Sequence, residues 1–271
     1  MTPQPPAIND RPRERGRLLL YLIPGLAALL VVTLFALAFV TLAKSRDASL
    51  HDAERSSRNL VQIVEQRAAR MLQSVDAVLS AAAGSWQQIP QMRDPAGAGM
   101  HSLLAQGLTQ LPFARSLFVL DARGMLVLDS GQHPVAQRDF SDREFFTWHR
   151  SHTGPLHIGK PAVNRAAGEW FIVVTRRLDD AEGRFAGTIG AALEPAAFRA
   201  IFGDIDVGRE GVISLMHEGG ELIASAPEAP SWLGMPTGAN LTLKELAANH
   251  GTRTVRSVSA VDGVARIYSA R

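Results

Sequence analysis

The 271-residue sequence contains no cysteine. Disulfide frameworks, thiolate zinc sites, iron–sulfur clusters and cysteine nucleophiles are thereby excluded. Aromatic side chains make up only 6% of the chain, with two tyrosines, which leaves base-stacking modules little to build on. Charge of one sign is also scarce, since the formal net charge is +2. That excess sits at one end: Arg11, Arg13, Arg15 and Arg17 outweigh Asp10 and Glu14, and residues 44–271 balance to zero. No nucleic-acid partner is expected. With 46% hydrophobic and 20% charged residues, a disordered, collagen-like or multi-span membrane chain is excluded as well.

What is present first is one long uncharged run, Leu18 to Ala43. As a helix it spans roughly 39 Å, enough to cross a bilayer with some tilt. Pro24 and Gly25 fall in its first third, where a membrane helix tolerates them. The arginine-rich tail places the N-terminus in the cytoplasm and everything after Lys44 outside it. A cleaved signal peptide is the alternative, but the run is about twice the usual apolar core of such signals. The expectation is a single-pass protein of the bacterial inner membrane with most of the chain in the periplasm.

Between Asp47 and Ala83 there is neither Pro nor Gly. Leu50, Ala53, Leu60, Val64, Ala68, Met71, Val75, Val78 and Ala82 fall within an arc of about 80°, predicting one long amphipathic helix. Gly84 is its expected C-cap. The stripe suits either a dimer seam, giving a homodimer through the stalk, or a spine covered by the chain's own domain. After the Pro95–Gly99 loop comes a short helix, His101–Leu111. Strand signals follow at 116–121, 125–130, 156–163, 170–178 and 185–193, then a helix at 196–202. The segment from Ser116 to Ser130 resembles Gly211 to Ser225 at an offset of 95, with Gly124 on Gly219. A helix near Leu241–Asn249 and strands at 253–259 and 264–269 complete the second unit, which lacks a counterpart to the last strand of the first. The class is α+β.

Four stretches carry a family resemblance: Ser141-Asp-Arg-Glu-Phe-Phe146 with His149; Ile158-Gly-Lys-Pro161; Gly168-Glu-Trp170 with Thr175-Arg-Arg177; and Gly183-Arg-Phe-Ala-Gly187. In order and spacing they resemble the double Cache sensor modules of bacterial membrane signalling proteins, of the diguanylate cyclase and histidine kinase type. The resemblance implies two tandem PAS-like lobes with antiparallel sheets, the second incomplete. The implied division is a cytoplasmic tail (1–17), a membrane helix (18–43), a stalk and linker (44–94), a membrane-distal ligand-binding lobe (95–195) and a membrane-proximal lobe (196–271). The family usually continues into an output domain; none of the corresponding motifs occurs here, so the chain reads as truncated before it. The resemblance also implies a small periplasmic ligand, with no cofactor.

On this reading the pocket lies between the sheet and the Asp142–Arg150 segment. Arg143 stands where amine-sensing relatives hold a carboxylate, and its planar fork suits that group. The competing reading is a surface arginine paired with Asp142 or Glu144. Phe145, Phe146, Trp148 and Trp170 are candidate pocket walls, with core packing as the alternative for at least two of them. Asp142, His149, Arg165 and Arg176 complete the candidate ligand-binding set. Strand alternation sends Arg176 and Arg177 to opposite faces, so only one reaches the pocket. Amine-binding relatives carry an Asp on the last strand of the distal lobe; the aligned residue here is Ala192, which favours an organic acid over an amine.

His149, His152 and His157, with His133 upstream, invite a metal reading, but no Asp, Glu or Cys stands at ligand spacing and no metal is expected. No nucleophile elbow, catalytic triad or paired-carboxylate arrangement stands out, so no enzymatic activity is expected of this chain. Two functions remain: a membrane-anchored sensor module, or a membrane-anchored scaffold whose pocket is filled by side chains. An open pocket lined by Arg143 favours the first and a collapsed one the second.

Overall fold

The computed structural model describes residues 13–89, 92, 98–132, 134–154, 156–164, 168–203, 205–235, 252–259 and 263–271, with side chains from Pro24 onward. The chain divides into two units, Met1–Arg55 and Ser56–Arg271, and one helix, α1 (Arg13–Gln88), contributes to both. In the first unit this helix is apolar and exposed all along Leu26 to Leu42, with Pro24 inside it. Its two hydroxyls find partners within the helix: Thr33 donates to Leu29 and Leu30 carbonyls and Thr41 to those of Leu37 and Ala38, at 2.8–3.0 Å. No polar side chain between Leu26 and Leu42 is thus left without a partner.

The second unit is built on a sheet of six strands. These are β1 (Ala114–Asp121), β2 (Leu126–Asp129), β3 (His157–Ile158), β4 (Ala162–Val163), β5 (Trp170–Asp179) and β6 (Phe185–Leu193). The order is β2-β1-β6-β5-β3, with β4 also on β5, and every pairing is antiparallel. Central strands β5 and β6 are near-continuous apolar runs because both their faces are covered. One face carries Leu117, Val119, Ile172, Val174, Ile189, Ala191 and Leu193 and packs on helices. From α1 it receives Val64, Ala68, Met71, Val75, Leu79, Ala82 and Trp86, the predicted stripe continued one turn further, with Leu79 buried and the expected Val78 only partly so. The stripe from Val64 onward is thus a spine for the chain's own sheet and unavailable as a dimer seam. Trp86 also explains why α1 passes through Gly84 and ends at Gln88: the buried indole holds the last turn in place.

Helix α2 (Ala98–Thr109) adds Met100 and Leu104 to this core, and Gly107 is where Val78 and Leu117 come too close for a larger residue. The opposite face of the sheet is covered by α3 (Glu144–Ser151). One expected strand is corrected. The span 156–163 is two short strands rather than one, because Gly159 and Pro161 interrupt it: a Cβ at Gly159 would crowd the Phe145 Cβ, and Pro161 has no N–H for a ladder.

After β6, α4 (Pro195–Phe202) buries Phe198, Ile201 and Phe202 in the helix-side core. Two separate two-stranded ladders follow: β7 (Ile213–Met216) with β8 (Leu222–Ala226), and β9 (Arg253–Val258) with β10 (Ala265–Ala270). The helix expected near Leu241–Asn249 lies outside the described residues. The internal repeat holds at an offset of 96 rather than 95. Pairs Val119↔Leu128 and Leu120↔Leu126 recur as Leu215↔Ala224 and Met216↔Leu222, with the same bulge between them. Gly124 and Gly220, both at φ +89, close the two turns. Gly219, one residue earlier, is the less demanding position, which is how an ungapped alignment by sequence slips by one.

Candidate functional site

Helix α3 starts where Arg143 leaves extended backbone, φ −77 and ψ 139, and its buried residues Phe145, Phe146 and His149 form one face. Strand alternation decides what that face meets. On β5 it meets Phe171, Val173, Thr175 and Arg177; on β6, Thr188, Gly190 and Ala192. Phe118 and Leu120 come from β1. Phe145 lies edge-on to Phe118 at 6.2 Å, and Phe146 lies 5.7 Å from Phe185. Phe145 and Phe146 are therefore core residues that fill the layer between helix and sheet. Gly190 makes that packing feasible, since a methyl there would strike the Phe118 ring and Thr175.

The polar end of this layer is a group the sequence does not single out as a unit. His149 is fully buried, with Nε2 2.9 Å from the Thr175 hydroxyl. Burial pushes its pKa down to about 4, helped by the charge of His157, so it is neutral at physiological pH. His157 Nε2 lies 2.8 Å from Glu144 Oε1, on the first turn of α3. Partial burial pushes the Glu144 carboxyl up, but the His157 hydrogen bond and charge, the Lys160 N–H and the charge of His217 outweigh it, leaving its pKa below the usual carboxylate value. Trp148 is stacked between His152, 4.5 Å away, and His157, 4.3 Å away. The histidines thus surround an indole. Among the described residues no group of three or more potential ligands could hold a metal, and His133 lies outside them.

Arg177 ties this end down. Its Nη1 donates to the His149 carbonyl at 2.5 Å and its Nε to Asp179 at 2.6 Å, while its guanidinium lies 4.9 Å from the Phe185 ring centroid. Arg176, its neighbour, points the other way and pairs with Asp76 on α1. Arg176 is thus corrected out of the candidate set, and Arg177 is the hairpin arginine on the α3 face. The parity that moves Arg176 also moves Trp170, which lies on the helix side of β5. Its ring stands against Gly234, where any Cβ would strike it. Phe171 is the aromatic on the α3 side.

Arg143 stays at the rim, half-buried, and its Nη2 donates to the Val163 carbonyl at 3.3 Å. Asp142 is exposed, and Arg165 lies outside the described residues. Ala192 faces the α3 layer. On this face His149 Nδ1 and the Thr188 hydroxyl are buried without a hydrogen-bond partner among the described residues. Both residues are fully buried.

Comparison with solved structures places this arrangement. The extracellular domain of a protein assigned as the histidine kinase rpHK1S-Z16 superposes with a TM-score of 0.71 at 28% identity, covering 81% of this chain and 89% of that one. The fold is that of a Cache-type sensor module. The ligand-binding domain of the Pseudomonas fluorescens chemoreceptor CtaA, in complex with L-isoleucine, shares this Cache fold at a TM-score of 0.61 and 18% identity, over 82% of this chain and 87% of that one. That of the Pseudomonas aeruginosa amino acid chemoreceptor PctC, in complex with GABA, matches at 0.55 and 16%, over 80% and 98%. The matched Cache domains are sensory, not enzymatic. No family model matches the chain, and no curated protein matches it.

Proposed function

We propose that this protein is a membrane-anchored, extracytoplasmic sensor module that binds a small carboxylate-bearing ligand against the α3 face of its six-stranded sheet. The observation that carries the reading is the pair of buried polar atoms, His149 Nδ1 and Thr188 Oγ1, that have no hydrogen-bond partner among the described residues, in a layer built mostly of Phe, Leu and Val side chains. A buried donor or acceptor without a partner costs about 1–3 kcal/mol, so a bound polar group that pairs with it is stabilised there. Arg143 at the rim supplies the charge complement for a carboxylate, and apolar Ala192 offers nothing to an ammonium group. The CtaA and PctC domains, which share the fold, hold L-isoleucine and GABA, both of which carry a carboxylate.

The anchor is the apolar part of α1, whose mean hydropathy reaches 2.7 over an 18-residue window with none of it buried. The arginines that precede it support an N-in orientation. The scaffold alternative draws on the tight packing of Phe145, Phe146 and Phe185, which leaves a ligand only the polar end of the layer.

A thermal-shift screen of organic acids and amino acids on the full chain in detergent tests the reading. Ligand excess raises the melting temperature by mass action if the folded module binds. Acids are expected to stabilise the wild type, Arg143→Ala to lose that shift and Arg143→Lys to keep part of it. No stabilising acid, or an equal response from Arg143→Ala, refutes the carboxylate assignment.

A further inference from the structure

The turn that joins β7 to β8 repeats the turn between β1 and β2 bond for bond. In the first, the Asp121 N–H donates to the Met125 carbonyl and the Gly124 N–H to the Asp121 carbonyl, both at 2.9 Å. At the offset of 96 the same bonds run from His217 to Glu221 and from Gly220 to His217, both at 2.8 Å. The main chain thus closes both turns alike. What differs is the side chain at the corner.

Asp121 commits its carboxylate to its own turn, where it accepts the Arg123 and Met125 N–H groups at 2.9 Å. His217 serves its turn with one nitrogen only. Its Nδ1 lies 3.0 Å from the Gly219 N–H and 3.1 Å from Glu221 Oε2, accepting from the first when unprotonated and donating to the second when protonated. In either form Nε2 carries a proton, and it lies 3.0 Å from the Ile158 carbonyl, to which it donates. His217 is buried, so this contact is sheltered from water. Beside it, Lys160 Nζ donates to Glu221 Oε1 at 2.6 Å.

Both contacts land on one short span. Strand β3 has two residues, pairs with β5 at the edge of the sheet and is followed by Gly159 and by Pro161, which lacks an N–H. An edge so short opens readily unless other groups hold it. On its other side α3 grips the same span, because Glu144 takes the His157 ring at 2.8 Å and the Lys160 N–H. The His157 carbonyl in turn lies 3.4 Å from the Thr175 hydroxyl that meets His149.

We propose that His217 is a positioning residue for the ligand layer. From the second hairpin it tethers the Ile158 carbonyl and so fixes the His157–Glu144 pair, and with it the first turn of α3. The inference rests on the ligand reading above for what the layer binds, whereas the tether is measured without ligand. The tether stays closed with and without ligand, so it sets the geometry of the site and does not report occupancy.

The test is amide exchange and histidine ring-nitrogen NMR on the full chain in detergent, with no ligand added. Two variants separate the two ring contacts. Asn keeps an acceptor for the Gly219 N–H but cannot reach Ile158, whereas Gln places an amide N–H near the Nε2 position. His217→Asn is expected to speed exchange of the Gly159 N–H, which donates to the Val173 carbonyl at 2.7 Å, by about tenfold. It is also expected to shift the His157 Nε2 resonance and to leave Gly220 exchanging at the wild-type rate. His217→Gln is expected to keep wild-type values at Gly159 and His157. Wild-type exchange at Gly159 in His217→Asn overturns the proposal. So does equal acceleration at Gly159 and Gly220, or a loss in His217→Gln as large as in His217→Asn, since either makes the ring a structural part of its own hairpin. Failure of the acid screen refutes the ligand reading and leaves the tether measurement as it stands.

Discussion

His157 Nε2 lies 2.8 Å from Glu144 Oε1, joining β3 to the first turn of α3 across the layer that also buries His149. Both acidic-side shifts in this cluster have one sign. His149 has a folded pKa of about 4, below its unfolded value of 6.5, so the unfolded chain binds the extra proton between those limits. Stability is fully present above about pH 6.5 and falls as pH drops toward 4, by an amount on the order of 3 kcal/mol. The depressed Glu144 carboxyl adds a further loss only below its own unfolded value. Urea midpoints measured from pH 7.5 to 4 are expected to fall through this window. His149→Gln, which cannot titrate, is expected to flatten the slope; an unchanged slope contradicts the account.

The two hairpin arginines separate structure from site. Arg176→Ala removes the pair with Asp76 and is expected to cost about 1 kcal/mol of stability while leaving ligand affinity unchanged. Arg177→Ala releases the His149 carbonyl and the Phe185 ring, so it is expected to cost more and to weaken ligand binding. Denaturation midpoints paired with calorimetric affinities decide this. Equal effects of the two variants on affinity contradict the face assignment.

Leu79 is fully buried under the sheet, so Leu79→Ala is expected to lower stability by about 2–5 kcal/mol in a denaturant titration. A loss well below 1 kcal/mol would mean that α1 is not the spine of the sheet.

Gly187 sits at φ +148, and a Cβ there would collide with the Leu120 carbonyl on the neighbouring strand. Gly187→Ala is expected to disrupt the β1–β6 ladder, read as a lower melting temperature than wild type and faster exchange at Leu120 and Thr188. Wild-type stability in this variant contradicts the register.

Much of this fold is legible in sequence because period and parity are local. The stripe from Val64 to Ala82 names the buried face of α1, and the alternation in Phe185–Leu193 names a strand. Parity also shows that Arg176 and Arg177 diverge. It does not show which of them meets α3, because that depends on which sheet face α1 covers, a fact fixed by packing from distant segments. Trp170 is misassigned for the same reason. The offset of 96 is missed by sequence because Gly219 and Gly220 match Gly124 equally well by type, and only the positive φ of Gly220 tells them apart. Thr175, Thr188 and Glu144 are missed because nothing local distinguishes a buried hydroxyl or a histidine-paired carboxylate from a solvated one. Spacing was the available signal: His149 falls four and three residues after Phe145 and Phe146, on the apolar face of α3.

The central claim is that a ligand's polar group meets His149 Nδ1 inside the α3 layer. It is tested most directly by nitrogen NMR of histidine-labelled protein, titrated with an acid that stabilises the fold. A shift of the His149 Nδ1 resonance that saturates with the same affinity as the thermal effect, with His217 unmoved, is the expected result. A stabilising acid that leaves His149 unmoved while other residues shift would place the ligand elsewhere and contradict the account.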